Sequence, residues 1–190
     1  MILRFILFYA CLSVLFSLLS WGQADTKVQV PGASSGLLLH PLKHLAFGVV
    51  AALPSRRLSL IVASGVAVLV MDVDHLGSAL DLPTVSHAGH SLGFAALLGG
   101  VIWGLARRGF LGGVSPILVS AVAVASVSAH VAIDALSIGR HLPLWAPATF
   151  TAIEIPRLSA VPFELGAVLL VWAASIRYNR RPIQTPPVAT

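Results

Sequence analysis

Six apolar stretches run through the chain, at residues 5–19, 42–54, 58–73, 91–106, 115–137 and 163–176, and no charge falls in the central part of any of them. Runs of this kind, rich in Gly and Ala, predict helices that face lipid or each other at close range. The stretch at 42–54 is short for a span and lies between Pro41 and Pro54. Gly100 and Gly104 form a GxxxG pair, for which ordinary helix packing is the plain reading.

The polar intervals divide the rest. Arg4 precedes the first apolar run, and Gly22 and Ala24 give a small-x-small ending before Asp25, so residues 1–24 read either as a signal peptide or as an uncleaved anchor helix. Residues 25–41 read as a linker, 42–176 as a membrane-embedded domain, and 177–190, with three prolines and no apolar period, as a disordered tail. The expected fold is all-α, a polytopic bundle of five core transmembrane helices plus the N-terminal segment.

Composition supports this picture. The chain has 190 residues, of which 57% are hydrophobic and 10% charged. A soluble domain carries about 25% charged residues, so a cytosolic globular enzyme, a disordered regulator and a coiled coil are excluded. The net charge of +5 reflects few acids rather than many bases. It gives no clustered cationic footprint for nucleic acid. Cys11 is the only cysteine, which leaves no disulfide framework and no cysteine-type zinc module within the chain.

Charge also orients the chain. Basic residues near helix ends favour the cytoplasm. Starting with Arg4 inside and alternating sides, Arg56-Arg57, Arg107-Arg108 and the group Arg177, Arg180 and Arg181 all fall inside. That side holds eight of the twelve basic residues and none of the seven acids. All seven histidines and all seven acids fall at outward ends or outer loops. The expected location is a multi-pass inner membrane protein with its chemistry on the extracytoplasmic side.

Four outward helix ends carry candidate ligands. Asp72-Val73-Asp74-His75 closes the run at 58–73. Asp72 and His75 share a helical face, and Asp74 joins them only if the helix end loosens. This mixed oxygen and nitrogen set suits Zn, Mn or Fe better than Mg or Ca; a polar cap at the headgroups is the alternative. His87 and His90 meet on the first turn of the 91–106 run, or else form a loop that wets the interface. His130 and Asp134, four apart, lie on one face of the 115–137 helix. An ionisable pair in an apolar helix is a functional signal, although a hydrogen-bonded pair joining two helices has the same spacing. His44 opens the 42–54 run, with His40 four residues before it and nearer the linker.

His44, Asp72, Asp74, His75, His87, His90, His130 and Asp134 are thus eight candidate ligands. A zinc ion needs three or four, so the set accommodates one ion with an outer layer of carboxylate–histidine pairs, or two ions. Arg140 either holds a phosphate oxygen or snorkels to headgroups. Asp74 and Arg140 are the candidate catalytic residues beyond the ligands. Glu154 and Glu164 are further acids, and nothing in their spacing favours a general base over a solvated loop. No GxSxG elbow, P-loop, dinucleotide fingerprint or HExxH is present.

The order His44-Leu-Ala-Phe-Gly, Asp72-Val-Asp-His75, His87 and His90-Ser-Leu, then His130-x-x-x-Asp134 with Gly139, Pro143-Leu-Trp145 and Pro147 resembles the YdjM-like family over residues 42–147. These are inner-membrane proteins described as metal-dependent hydrolases. The chain departs from the family pattern at Met71, where a proline is usual, at Ala88, where an arginine is usual, and in the shorter histidine spacing. Ser137 stands where a threonine is common.

The resemblance and the residues imply a membrane-embedded metal hydrolase. Its partners would be the lipid bilayer and a lipid or phosphoester substrate. The alternatives are a non-catalytic metal-binding or metal-transport protein, and a structural protein with a polar outer cap. Ligands on one side only argue against transport.

Overall fold

The computed structural model describes residues 1–21, 39–75, 80, 82, 84–85, 87–136 and 141–179, with side chains at all of these except 39, 40, 74 and 75. The expected linker at 25–38 and tail at 180–190 lie outside the described residues. Each apolar stretch forms a helix: α1 is Ile2–Leu18, α2 Leu39–Ala52, α3 Leu58–Val70, α4 Leu92–Arg107, α5 Pro116–Leu136 and α6 Ala160–Asn179. A two-stranded antiparallel ribbon, β1 His141–Leu142 paired with β2 Ile153–Glu154, joins α5 to α6. Among the described residues the fold is all-α apart from this ribbon.

Helix ends follow local chemistry. α2 starts three residues inside the expected linker, because Pro41 sits in the first turn, where a missing N–H costs nothing. Pro54 then ends it in a 3-10 turn, Leu53–Ser55. α3 continues into a tighter 3-10 turn at Met71–His75 rather than loosening there. Ser91 caps α4 by accepting from the Phe94 N–H at 3.1 Å.

Small residues allow the helices to approach closely. A Cβ on Gly48 of α2 would meet the Ser64 carbonyl oxygen and a Val68 methyl of α3, each at 2.7 Å. Gly99 of α4 stands as close to Val124 of α5. The Gly100 and Gly104 pair, in contrast, has nothing within 4 Å of either added Cβ, so neither glycine is needed for packing within this chain. Serines join the helices: Ser64 and Ser126 hydroxyls lie 2.9 Å apart, Ser120 donates to the Gly99 carbonyl and Ser128 to the Phe163 carbonyl. These are the close contacts and polar joints expected where water does not drive helices together.

α5 is the central helix, and most of it is buried. α6 is largely exposed, with Leu165, Leu169 and Trp172 facing outward. Among the described residues, two helical segments are long and apolar enough to cross a membrane: Pro116–Leu136, and Arg157–Asn179 with its leading 3-10 turn. α1, α4 and Leu58–Val73 are apolar but shorter; sixteen residues of helix reach about 24 Å, against a hydrocarbon core of about 30 Å.

The bundle has two chemically different ends. At one, the Arg4 guanidinium donates to the Phe110 carbonyl at 2.9 Å, and Arg57 donates to the Tyr178 hydroxyl at 2.7 Å. Arg107 stacks on Trp103 at the same end. At the other end, the start of α2, the end of α3, the start of α4 and the end of α5 come together. A small apolar cluster of Val131, Ala135, Leu142, Ile155 and Ala160 packs the ribbon over the end of α5.

Candidate metal centre

His130 and Asp134 lie one turn apart on α5, and their shared face meets α2, α3 and α4. His130 is fully buried, and its Nδ1 lies 2.7 Å from the Val68 carbonyl oxygen. A carbonyl only accepts, so Nδ1 carries the hydrogen and Nε2 presents its lone pair to the interior. A backbone acceptor on the outer nitrogen is the usual way a metal-binding histidine is oriented. This acceptor had no sequence signal, because any residue at 68 offers the same carbonyl.

Around His130 the donor atoms converge. Its Nε2 lies 3.3 Å from Asp72 Oδ1 and 3.6 Å from Asp134 Oδ2. His90 Nε2 lies 3.2 Å from Asp134 Oδ2 and 3.8 Å from Asp72 Oδ1. These four separations bracket the edge of a tetrahedron drawn around an ion with bonds of 2.0–2.1 Å, which is about 3.3 Å. His130 Nε2 and Asp134 Oδ2 make no hydrogen bond among the described residues although both are buried. Leaving such atoms bare is costly, and a shared cation removes that cost.

His44 and His87 flank the four donors. His44 is buried, its Nε2 is 4.0 Å from the other oxygen of Asp134, and its ring lies edge-on to His130 at 4.5 Å. His87 is buried with its ring 4.8 Å from that of His90. Its φ of 64° is left-handed, an uncommon conformation for a residue with a side chain. That geometry closes the turn in which the His90 N–H donates to the His87 carbonyl at 2.8 Å. Three groups satisfy the proximity needed for an ion: His44, His130 and Asp134; Asp72, His90 and His130; and His87, His90 and Asp134. The buried cluster can hold a metal ion.

The segment after α5 supports His90 from outside. The Leu92 N–H donates to the Leu144 carbonyl at 2.9 Å, and Gly93 lies directly under the Ala146 carbonyl and Pro147. Gly93 is a position where any Cβ would collide, and the Pro-Leu-Trp-x-Pro sequence is the turn that presses on it. Access is uneven. His44, His90, His130 and Asp134 are buried, whereas the Asp72 side chain is 38% exposed. Among the described ligands, Asp72 is the one open to the surroundings.

Of the eight expected ligands, six converge: His44, Asp72, His87, His90, His130 and Asp134. The side chains of Asp74 and His75, and all of Arg140, lie outside the described residues, as does the side chain of His40. Glu154 is exposed and pairs with His141 in the ribbon. Glu164 sits within α6, its carboxylate oxygens shielded and without a hydrogen bond among the described residues, and it belongs to none of the three groups. A groove of about 600 Å³ between α4, α5 and α6, lined by Gly99, Trp103, Val124, Leu170 and Arg177 among others, contains none of the donors. No family model, curated protein or solved structure matches the chain.

Proposed function

We propose that this protein is a multi-pass membrane protein that holds a divalent metal at the extracytoplasmic ends of its helices and uses it to hydrolyse phosphoesters at the membrane interface. The observation that carries the metal reading is the gathering of buried histidine nitrogens and carboxylate oxygens, with His90 and His130 each 3.2–3.8 Å from Asp72 and Asp134, into three overlapping groups that could each hold an ion. Two histidines and two carboxylates suit zinc, with Mn or Fe as the other fitting ions. His44 then orients Asp134 through its second oxygen.

The membrane reading rests on the two long apolar helices and on the outward-facing Leu, Val and Trp side chains along α1, α3, α4 and α6. All the arginines with described hydrogen bonds or ring contacts sit at the end away from the donors, in keeping with a cytoplasmic face. The YdjM-like motif order over residues 42–147 supports the same assignment.

A divalent ion at this centre supplies Lewis acidity and a water of lowered pKa. The chain's own residues do the rest. The buried histidines His44, His87, His90 and His130 would hold the ion away from bulk water. Asp72, half open, lies where a headgroup-sized substrate would reach the centre, and Trp145, exposed beside His90's supporting segment, suits headgroup depth. The test is release of phosphate or headgroup from phospholipid vesicles by the purified protein. Activity that a chelator abolishes and zinc restores is expected; full activity in metal-free protein would overturn the reading.

One observation favours a second reading. Asp72, His90, His130 and Asp134 are linked by short separations, and an ion held by all four would match the closed pattern of structural sites, whereas catalytic sites keep an open position. If Asp72 never leaves the ion, the centre is a non-catalytic metal site. Asp72→Ala separates the two: a metal-loaded variant with altered turnover supports hydrolysis, and one that differs only in thermal stability supports the structural role.

A further inference from the structure

We infer that α1 is a permanent part of the folded protein, neither a leader that is removed nor a passive anchor, and that Tyr9, Ser13 and Ser20 position the segments that carry the metal ligands. The ligand role of those segments rests on the metal centre proposed above; the retention of α1 does not.

The contacts fall on one face of α1. Phe5, Tyr9, Ser13 and Phe16 recur at helical spacing and are all buried, while Leu3, Leu7, Leu15 and Cys11 face outward. A leader needs only an apolar core, and its faces are interchangeable. This helix instead has a specific polar side. The Tyr9 hydroxyl donates to the Met71 sulfur at 3.1 Å, and the Ser13 hydroxyl donates to the Met71 carbonyl at 3.3 Å. Met71 is fully buried and opens the 3-10 turn whose next residue is Asp72. Just past α1, the Ser20 hydroxyl accepts from the Val85 N–H at 2.7 Å, two residues before His87. Phe16 packs on Phe94 at 5.3 Å and on Phe150 at 6.4 Å, which ties it to the helix start that follows His90 and to the segment that supports it.

The two ligand-bearing segments that are not on long helices, 71–75 and 85–90, are thus both pinned by α1. The Met71 carbonyl belongs to the 3-10 turn that carries Asp72, and the Ser13 hydroxyl gives that carbonyl a second donor from outside the turn. Asp72, the most exposed ligand, depends on that anchor for its position.

The test has two arms on full-length protein purified from membranes with a C-terminal tag. Intact-mass measurement gives the first: a chain that retains residues 1–24 is expected, and a chain that begins near residue 25 overturns the inference. The second arm measures zinc affinity in wild type, Tyr9→Phe, Ser13→Ala, Leu15→Ala and Asp72→Ala, with Ser13→Thr as the conservative rescue. Ser13→Ala and Tyr9→Phe are expected to weaken zinc binding by about 10-fold, with Leu15→Ala and Ser13→Thr close to wild type. In the Asp72→Ala background, Ser13→Ala is expected to add no further loss, because Ser13 acts through Asp72. An equal loss in both backgrounds, or none in either, overturns the positioning role. A wild-type protein that binds no zinc, manganese or iron overturns the metal centre and the positioning role with it, and leaves the mass result to decide retention.

Discussion

The two ends of the helical bundle treat charge in opposite ways. At one end Arg4, Arg107 and Arg108 are exposed, Arg57 is only half buried, and their described partners are a carbonyl, a phenol and an indole ring. Each can be moved without exposing anything. At the other end four histidines and Asp134 are buried and lie against one another. The first pattern is what orients a chain in a bilayer. The second gathers a buried carboxylate and several imidazoles away from water, an arrangement that a cation among them would stabilise.

The sharpest way to break this contrast is at α5. Asp134→Ala or His130→Ala is expected to abolish metal retention through gel filtration, a loss above the 10–100-fold typical of outer partners. Elemental analysis of the peak fraction checks it. Removing Asp134 also leaves three buried histidines without their carboxylate, so a fall of several degrees in the melting temperature is expected.

His44→Gln comes next. His44 meets Asp134 on the oxygen away from His90, so its loss is expected to weaken zinc by about 10–100-fold rather than eliminate it. Competition with a chromophoric chelator gives the number. Loss equal to that of His130→Ala would make His44 a direct ligand and favour a second ion.

A middle-sized effect is expected from packing alone. Gly48→Val drives a side chain into the Ser64 carbonyl and Val68. It should destabilise the α2–α3 contact by about 1–3 kcal/mol, seen in thermal unfolding. Since Val68 also holds His130, zinc affinity should fall in parallel. Gly104→Val, with open space around its Cβ, should change neither.

The smallest effect belongs to the basic end. Arg57→Gln removes one hydrogen bond to Tyr178 and a ring contact, both half exposed. A stability change of about 0.5–1 kcal/mol is expected, with zinc binding unaltered. Metal loss in this variant would mean that the two ends are coupled.

The apolar pattern and the charge map carry most of the fold. Six runs became six helices, and Pro41, Pro54 and Ser91 mark ends that propensity alone would blur. The ligands were legible because ionisable residues stand out in an apolar chain: His130 and Asp134 were set on one face by spacing, and the topology brought His44, Asp72 and His90 to the same level. His87, at the altered histidine spacing, joins them because its left-handed backbone turns its ring toward His90. Other features had no local sign. The Val68 carbonyl is a backbone group common to every residue. Ser13 and Tyr9 read as ordinary members of an apolar run until the fold sets them against Met71. The Gly100 and Gly104 pair shows the reverse, a motif at which an added Cβ would meet open space among the described residues.

Metal content of the full-length protein, purified in mild detergent without chelator and measured by elemental analysis beside His130→Ala, tests the central claim most directly. About one equivalent of zinc, manganese or iron in the wild type and almost none in the variant is the expected result. Wild-type protein without a transition metal, and as stable as His130→Ala, would contradict the account.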